Sequence, residues 1–280
     1  MNVATTIADV RALRSRLEEP VGLAPTMGYL HEGHLSLVRL ARAECASVVA
    51  SVFVNPTQFA PGEDFTDYPR DLERDLALLE AEGVDLVFAP GADELYAADH
   101  TTWIELPTLT GRLEGASRPT HFRGVATIVL KLVNIVAPQV LVLGQKDAQQ
   151  AVVVGRMLRE LDVPVELRIG PTVREEDGLA MSSRNAYLAP DDRTVAAVLY
   201  RALRRVEALW RDGERDADAL REAISAVLAG EPSADVDYVS VADPESLEEL
   251  DGTVEAALAS IAVRIGRTRL IDNLVLGRSA

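Results

Sequence analysis

The chain has 280 residues, 48% of them hydrophobic and 26% charged, with a formal net charge of −16, enough material for one large domain or two. So acidic a balance excludes a broad electrostatic footprint for nucleic acid or an anionic membrane, and any phosphate the protein holds must be met locally. A single cysteine, Cys45, excludes an intrachain disulfide framework and implies a reducing, cytoplasmic setting.

In chain order, residues 1–20 place Val10, Leu13 and Leu17 at helical spacing with no signal-peptide apolar core, which predicts an amphipathic helix. Residues 21–24 predict a short buried strand, and Leu35, Leu37, Val38, Leu40 and Ala41 a helix directly after it. Further strands are expected at 48–54, 84–88, 140–143 and 165–169, with helices near 72–83, 128–136 and 152–161 between them. The most apolar stretch, 128–143, is interrupted by Lys131, Asn134 and Pro138 and is too short to span a bilayer. Alternating strands and helices predict an α/β fold, a Rossmann-like, doubly wound parallel sheet with ligands at the carboxyl ends of its strands. After Pro171 the pattern changes to helices at 191–212 and 217–229 and strands at 236–241, 257–265 and 269–276, a smaller C-terminal α+β domain. The expected division is 1–172 and 173–280, with the glycine-bearing stretch 177–185 as a hinge or lid.

The strand-to-helix junction Ala24-Pro25-Thr26-Met27-Gly28-Tyr29-Leu30-His31-Glu32-Gly33-His34 is the richest segment. A helix N-terminus offers backbone N–H groups and positive dipole potential to a phosphate, Gly33 permits close approach, and His31 and His34 lie on neighbouring surface of one turn. The zinc-protease pattern is excluded, because its histidines stand four apart, and His100 and His121 are too remote in sequence to complete an obvious metal set. Other strand ends carry Asn55 and Gln58, and Gly144-Gln145-Lys146-Asp147. Read alone, Lys146 is a solvated lysine, Asp147 a helix cap and Ser182-Ser183-Arg184 a polar turn.

Taken together, Pro25-Thr26-Met27-Gly28 with His31 and His34, Phe53-Val54-Asn55-Pro56-Thr57-Gln58-Phe59, Tyr68-Pro69-Arg70, His121-Phe122-Arg123-Gly124, Gly144-Gln145-Lys146-Asp147 with Gln149-Gln150, and the stretch from Asp177 to Asn185 closely resemble the pantoate–β-alanine ligases (pantothenate synthetases) over nearly the full length. More distantly they resemble nucleotidylyltransferases and class I aminoacyl-tRNA synthetases. The resemblance implies condensation of pantoate with β-alanine at the expense of ATP through an acyl-adenylate, with no nucleic-acid or membrane partner and a homodimeric habit. It implies that ATP lies on Met27, Gly28, Tyr29, Leu30, His31, Glu32, Gly33 and His34, on Gly144, Gln145, Lys146 and Asp147, and on Val173, Met181, Ser182, Ser183 and Arg184.

His34, His31 and Lys146 would then be the catalytic donors, since an imidazole or ammonium suits charge gathering on a departing pyrophosphate. Gln58 and Gln150 would read pantoate and β-alanine, because an amide supplies both donors and acceptors to hydroxyls and a carboxylate. Met27 and Phe59 are candidates for the wall against pantoate's methyl groups. Mg2+ would ride on phosphate oxygens with help from an aspartate after Tyr68-Pro69-Arg70, here Asp75, although Arg74 interrupts that acidic patch. His121 and Arg123 read as loop residues that either frame an entrance or serve a structural role. The rivals are a nucleotidylyltransferase acting on a phosphorylated acceptor, which the neutral Gln58 and Gln150 disfavour, and a non-catalytic nucleotide sensor.

Overall fold

The β-branched runs of the first half pair into one sheet. In the computed structural model, which describes residues 1–277, β1 (Asn2–Ala4), β2 (Val21–Thr26), β3 (Ser47–Val52), β4 (Leu86–Phe88), β5 (Val140–Gly144) and β6 (Glu166–Gly170) lie in the order β1-β4-β3-β2-β5-β6. Every pair is parallel. Consecutive residues Val48, Val49 and Ala50 are all buried. Since neighbouring side chains on a strand point to opposite faces, both faces of the sheet are covered. The chain runs outward from β2 through β3 to β4, then returns to place β5 on the other side of β2, which makes the carboxyl ends of β2 and β5 the switch point where ligands of such sheets sit.

The N-terminal segment differs from its expectation. Asn2, Val3 and Ala4 pair with Leu86, Val87 and Phe88 as an edge strand, and the helix is confined to Ile7–Arg14, where the Thr6 side chain accepts from Asp9 N. The open edge of β4 satisfies the hydrogen-bonding groups of residues 2–4, an option that local periodicity does not reveal.

The chain divides into two compact units: Met1–Gln145 with Gln150–Pro171, and Lys146–Gln149 with the chain from Thr172 onward. In the second unit β7 (Ala234–Ala242), β8 (Ala257–Ile265) and β9 (Thr268–Leu276) form an antiparallel sheet in that order. The helices Val198–Arg211 and Ala217–Ala229 bury Leu199, Leu203, Val206, Leu220 and Ile224 in a core shared with Val241, Ile261 and Val263. The single helix expected over 191–212 is two, Pro190–Ala196 and Val198–Arg211, meeting at Ala197. No glycine or proline marks that break. Among the described residues no helix is long and apolar enough to cross a membrane.

Candidate active site

The turn after β2 is built by side chains that satisfy its backbone. Thr26 Oγ1 donates to Ser51 O at 2.7 Å and accepts from Gly28 N at 3.2 Å. Gly28 and Tyr29 are both left-handed, with φ of 82° and 49°, and the next two amides, Tyr29 N and Leu30 N, donate to Asp75 Oδ2 at 2.7 Å and Oδ1 at 2.8 Å. His31 caps the helix Glu32–Glu44: its Nδ1 accepts from Gly33 N at 3.2 Å, while His34 Nδ1 accepts from His31 N at 3.3 Å. The amides of Gly28, Tyr29, Leu30, His31 and Gly33, expected as donors to a ligand, therefore already have partners within the protein. An imidazole that accepts at Nδ1 carries its proton on Nε2, so both rings, whose centroids are 4.0 Å apart, are set as Nε2–H donors.

Gln58 is placed by the short 3-10 turn Pro56–Gln58, in which Asn55 Oδ1 accepts from Thr57 N and Thr57 Oγ1. Asn55 Nδ2 donates to Gln58 Oε1 at 3.2 Å and to Gly124 O at 3.2 Å, which leaves Gln58 Nε2 directed to Met27 Sδ at 3.1 Å. Asn55 thereby decides which end of the Gln58 amide is offered as a donor. The backbone carbonyl of Gln58 is held by His121 Nδ1 at 2.8 Å and Arg118 Nη2 at 3.3 Å, with Arg118 paired to Glu63 at 2.7 Å. Burial, then the neighbouring Arg118 charge, push the His121 imidazole down to about 4, so it is neutral at pH 7. Both His121 and Arg123, expected in a loop, lie in the helix His121–Val136. Gly124 allows that helix to press on the turn, because a Cβ there would meet Thr57 O at 2.4 Å. Arg123 lies over the Trp103 ring at 4.8 Å, and Phe59 packs edge-on to Phe65 and Tyr68.

Gly144 ends β5, Gln145, Lys146 and Asp147 form a 3-10 turn, and Gln150 lies in the first turn of the helix Ala148–Glu160. Lys146 Nζ is 3.2 Å from Asp147 Oδ1. The Lys146 carbonyl accepts from Asn273 Nδ2 at 2.9 Å, a bond within the second unit. Also in that unit, Met181 N donates to Val173 O at 3.0 Å, closing a bridge whose turn contains Gly178 at φ 93°. Ser182 caps the 3-10 turn Ser183–Tyr187 and accepts from Arg184 N at 3.3 Å. Val173, Met181, Ser182, Ser183 and Arg184 thus share one folded segment. Behind it Arg174 grips Asp272 through two contacts, at 2.5 and 3.0 Å, and covers the Tyr200 ring at 4.4 Å. Burial pushes the Asp272 carboxyl above its ordinary range, against the pull of Arg174 and Lys146.

Magnesium does not fit the aspartate that the acidic patch suggested. Asp75 is 1% exposed and each of its oxygens already accepts a backbone N–H, whereas Mg2+ demands close, octahedral oxygen contacts. Among the described residues no group of three or more His, Cys, Asp or Glu could hold a metal ion. Sequence reading placed Asn55 only as a polar group at a strand end and left a structural role for His121 as one of two readings, and it did not find that the backbone engages Asp75. For Asn55 the signal was present, since an Asn before Pro-Thr is a side-chain-capped turn.

Among known proteins, the pantoate-beta-alanine ligase family model matches residues 2–275. A pantothenate synthetase of Roseiflexus sp. (strain RS-1) is 59% identical over 276 residues, covering 99% of each chain. The crystal structure of pantothenate synthetase from Thermus thermophilus is similar with a TM-score of 0.93 at 51% identity, covering 98% of this chain and 99% of that one. That of the Francisella tularensis pantoate-beta-alanine ligase, complexed with beta-gamma ATP and beta-alanine, has a TM-score of 0.80 at 33% identity, covering 100% of this chain and 99% of that one.

Proposed function

The chain belongs to the pantoate-beta-alanine ligase family and is an enzyme of that kind, and from that premise we propose that it condenses (R)-pantoate with β-alanine through a pantoyl-adenylate. ATP is consumed, AMP and pyrophosphate are released, and the product, pantothenate (vitamin B5), feeds coenzyme A biosynthesis. The observation that carries the chemistry is the paired tautomer of His31 and His34, which sets two Nε2–H donors side by side at the carboxyl end of β2.

In the first step the pantoate carboxylate oxygen bonds to the α-phosphorus of ATP as the bond to pyrophosphate breaks. Negative charge collects on the departing oxygens, where pre-placed N–H donors lower the barrier because they need no reorganisation. His34 and His31 are assigned to that charge. Lys146 supplies a cation, and Ser182, Ser183 and Arg184 supply hydroxyl and guanidinium donors for phosphate. Met27, Gly28, Tyr29, Leu30, Glu32, Gly33, Gly144, Gln145, Asp147, Val173 and Met181 complete the proposed nucleotide contacts. Gln58, its Oε1 held by Asn55, presents Nε2–H to an oxygen of pantoate, and Gln150 is the second substrate amide. In the second step the β-alanine amine, freed of its ammonium proton by solvent, attacks the acyl carbon, the bond to AMP breaks, and the nitrogen's second proton also passes to solvent. No protein nucleophile takes part.

Mg2+ enters the proposal only as a counter-ion on the nucleotide's phosphate oxygens, and no step is assigned to it. ATP and β-alanine as ligands are supported by the complex of the Francisella tularensis relative. A homodimer and a cytoplasmic setting belong to the same proposal, supported by the family resemblance and by the single cysteine. The test is AMP release by the purified protein. AMP that forms only with both pantoate and β-alanine supports the ligase. Release of a nucleotide conjugate instead would support a nucleotidylyltransferase, and ATP binding without turnover a sensor.

A further inference from the structure

We propose that Asp75 is the built-in anion of the nucleotide turn, a positioning residue that holds residues 28–31 so that the two imidazoles keep their donor tautomers, and not a ligand for the nucleotide's metal. This deepens the function proposed above and rests on it only for the identity of the ligand.

Several independent features of the first unit converge on this role. The two oxygens of one carboxylate take the amides of two consecutive residues, Tyr29 and Leu30, at 2.7 and 2.8 Å, across a sequence separation of 46 and 45. Successive N–H groups of a tight turn can converge into a concavity that binds anions, and here the turn with positive φ at Gly28 and Tyr29 aims the N–H groups of Tyr29 and Leu30 at one carboxylate. For Tyr29, which has a Cβ, that conformation costs about 1 kcal/mol or more and persists only where surroundings determine it. Asp75 is that determinant. The space is matched as well, since a Cβ on Gly28 would lie 2.9 Å from Asp75 Oδ2 and 3.0 Å from Val52 Cγ1. Arg74 balances the buried charge from outside, with Nη1 3.7 Å from Asp75 Oδ1 and its guanidinium 5.4 Å from the centre of the Tyr29 ring. The carboxylate also sits in the first turn of the helix Leu72–Ala81, where the dipole favours a negative charge.

A carboxylate is required because it presents two acceptors. In Asp75→Asn one acceptor remains and the new NH2 faces an N–H, so one of the two amides loses its partner. Loss of a charge-assisted bond of this kind corresponds to about tenfold to hundredfold. Amide hydrogen exchange at Tyr29 and Leu30 should accelerate by about that factor in D75N. ATP affinity measured by calorimetry should fall by a similar factor in EDTA and in excess Mg2+. A loss of affinity confined to the Mg2+ arm, with exchange at Tyr29 and Leu30 unchanged, would overturn the proposal.

A measurement on the unmodified protein decides the matter should D75N not fold. Mn2+ added without nucleotide should leave the Asp75 carboxylate carbon resonance unbroadened, and selective broadening of that resonance would assign the residue to metal after all. Failure of the unmodified protein to bind ATP would sink the ligase reading while leaving the exchange and Mn2+ results to judge Asp75.

Discussion

The two units hold their candidate ligand segments by different physics. In the first, the turn from Thr26 to His34 is fixed by side chains accepting from backbone N–H: Thr26 takes Gly28, Asp75 takes Tyr29 and Leu30, His34 takes His31, and His31 takes Gly33. In the second, the segment from Val173 to Asn185 has backbone bonds of its own, such as Met181 N to Val173 O and Leu179 N to Asp177 Oδ1, and adds ion pairs, Arg174 with Asp272 and Arg193 with both Glu175 and Asp177. Backbone-directed bonds define direction as well as distance, which suits donors that must face a transition state. Ion pairs tolerate more change of geometry and respond to pH and salt, which suits the binding role proposed for that segment.

The sharpest test of the first mode is His34→Ala, which removes both a donor and the acceptor for His31 N. Turnover should fall by about 10²–10³-fold with the unfolding midpoint little changed. Near-normal pantoate-dependent pyrophosphate exchange in that variant would remove His34 from the chemistry. For the second mode, Asp272→Ala leaves the Arg174 guanidinium beside an empty acceptor position. Breaking such a pair costs about 3 kcal/mol, to be read as a lowered urea midpoint. A negligible change would show that the pair contributes little to holding the segment.

Arg184→Ala should act on binding alone, weakening ATP by about tenfold while kcat changes little. An unchanged KM for ATP, or a collapse of kcat, would erase the proposed contrast between the units. The smallest effect concerns His121. Its imidazole is held at about 4 in the folded chain against 6.5 for the ordinary group, so between those values the unfolded state binds more protons and stability falls as the pH drops. The residue is half-buried rather than fully buried, which discounts the loss to about 1–2 kcal/mol. In His121→Gln that slope should become shallower, measured as the difference in Tm between pH 6.5 and 4. A slope that persists undiminished would locate the acid sensitivity elsewhere.

Much of the arrangement was legible beforehand, for reasons that differ by residue. β2 and the helix after it were readable because a β-branched run passes into 3.6-residue periodicity at a His-containing turn. Gln58 and Lys146 could be placed at turns after apolar strands from the pattern alone, while their proposed part in binding came from the family resemblance. The break at Ala197 and the edge strand Asn2–Ala4 were not, since neither has a local signal. Nor was the occupation of Asp75, whose partners lie 45 and 46 positions away.

Apolar periodicity, the placement of glycines and the order of motifs along the chain determined the fold class, the family and which residues gather at strand ends, because those depend on short-range preference and on which faces must be buried. Tertiary structure alone decided which hydrogen-bonding groups at those ends remain for a ligand. Each buried N–H must find an acceptor, and whether that acceptor is Asp75, His31 or a phosphate depends on where distant segments come to rest.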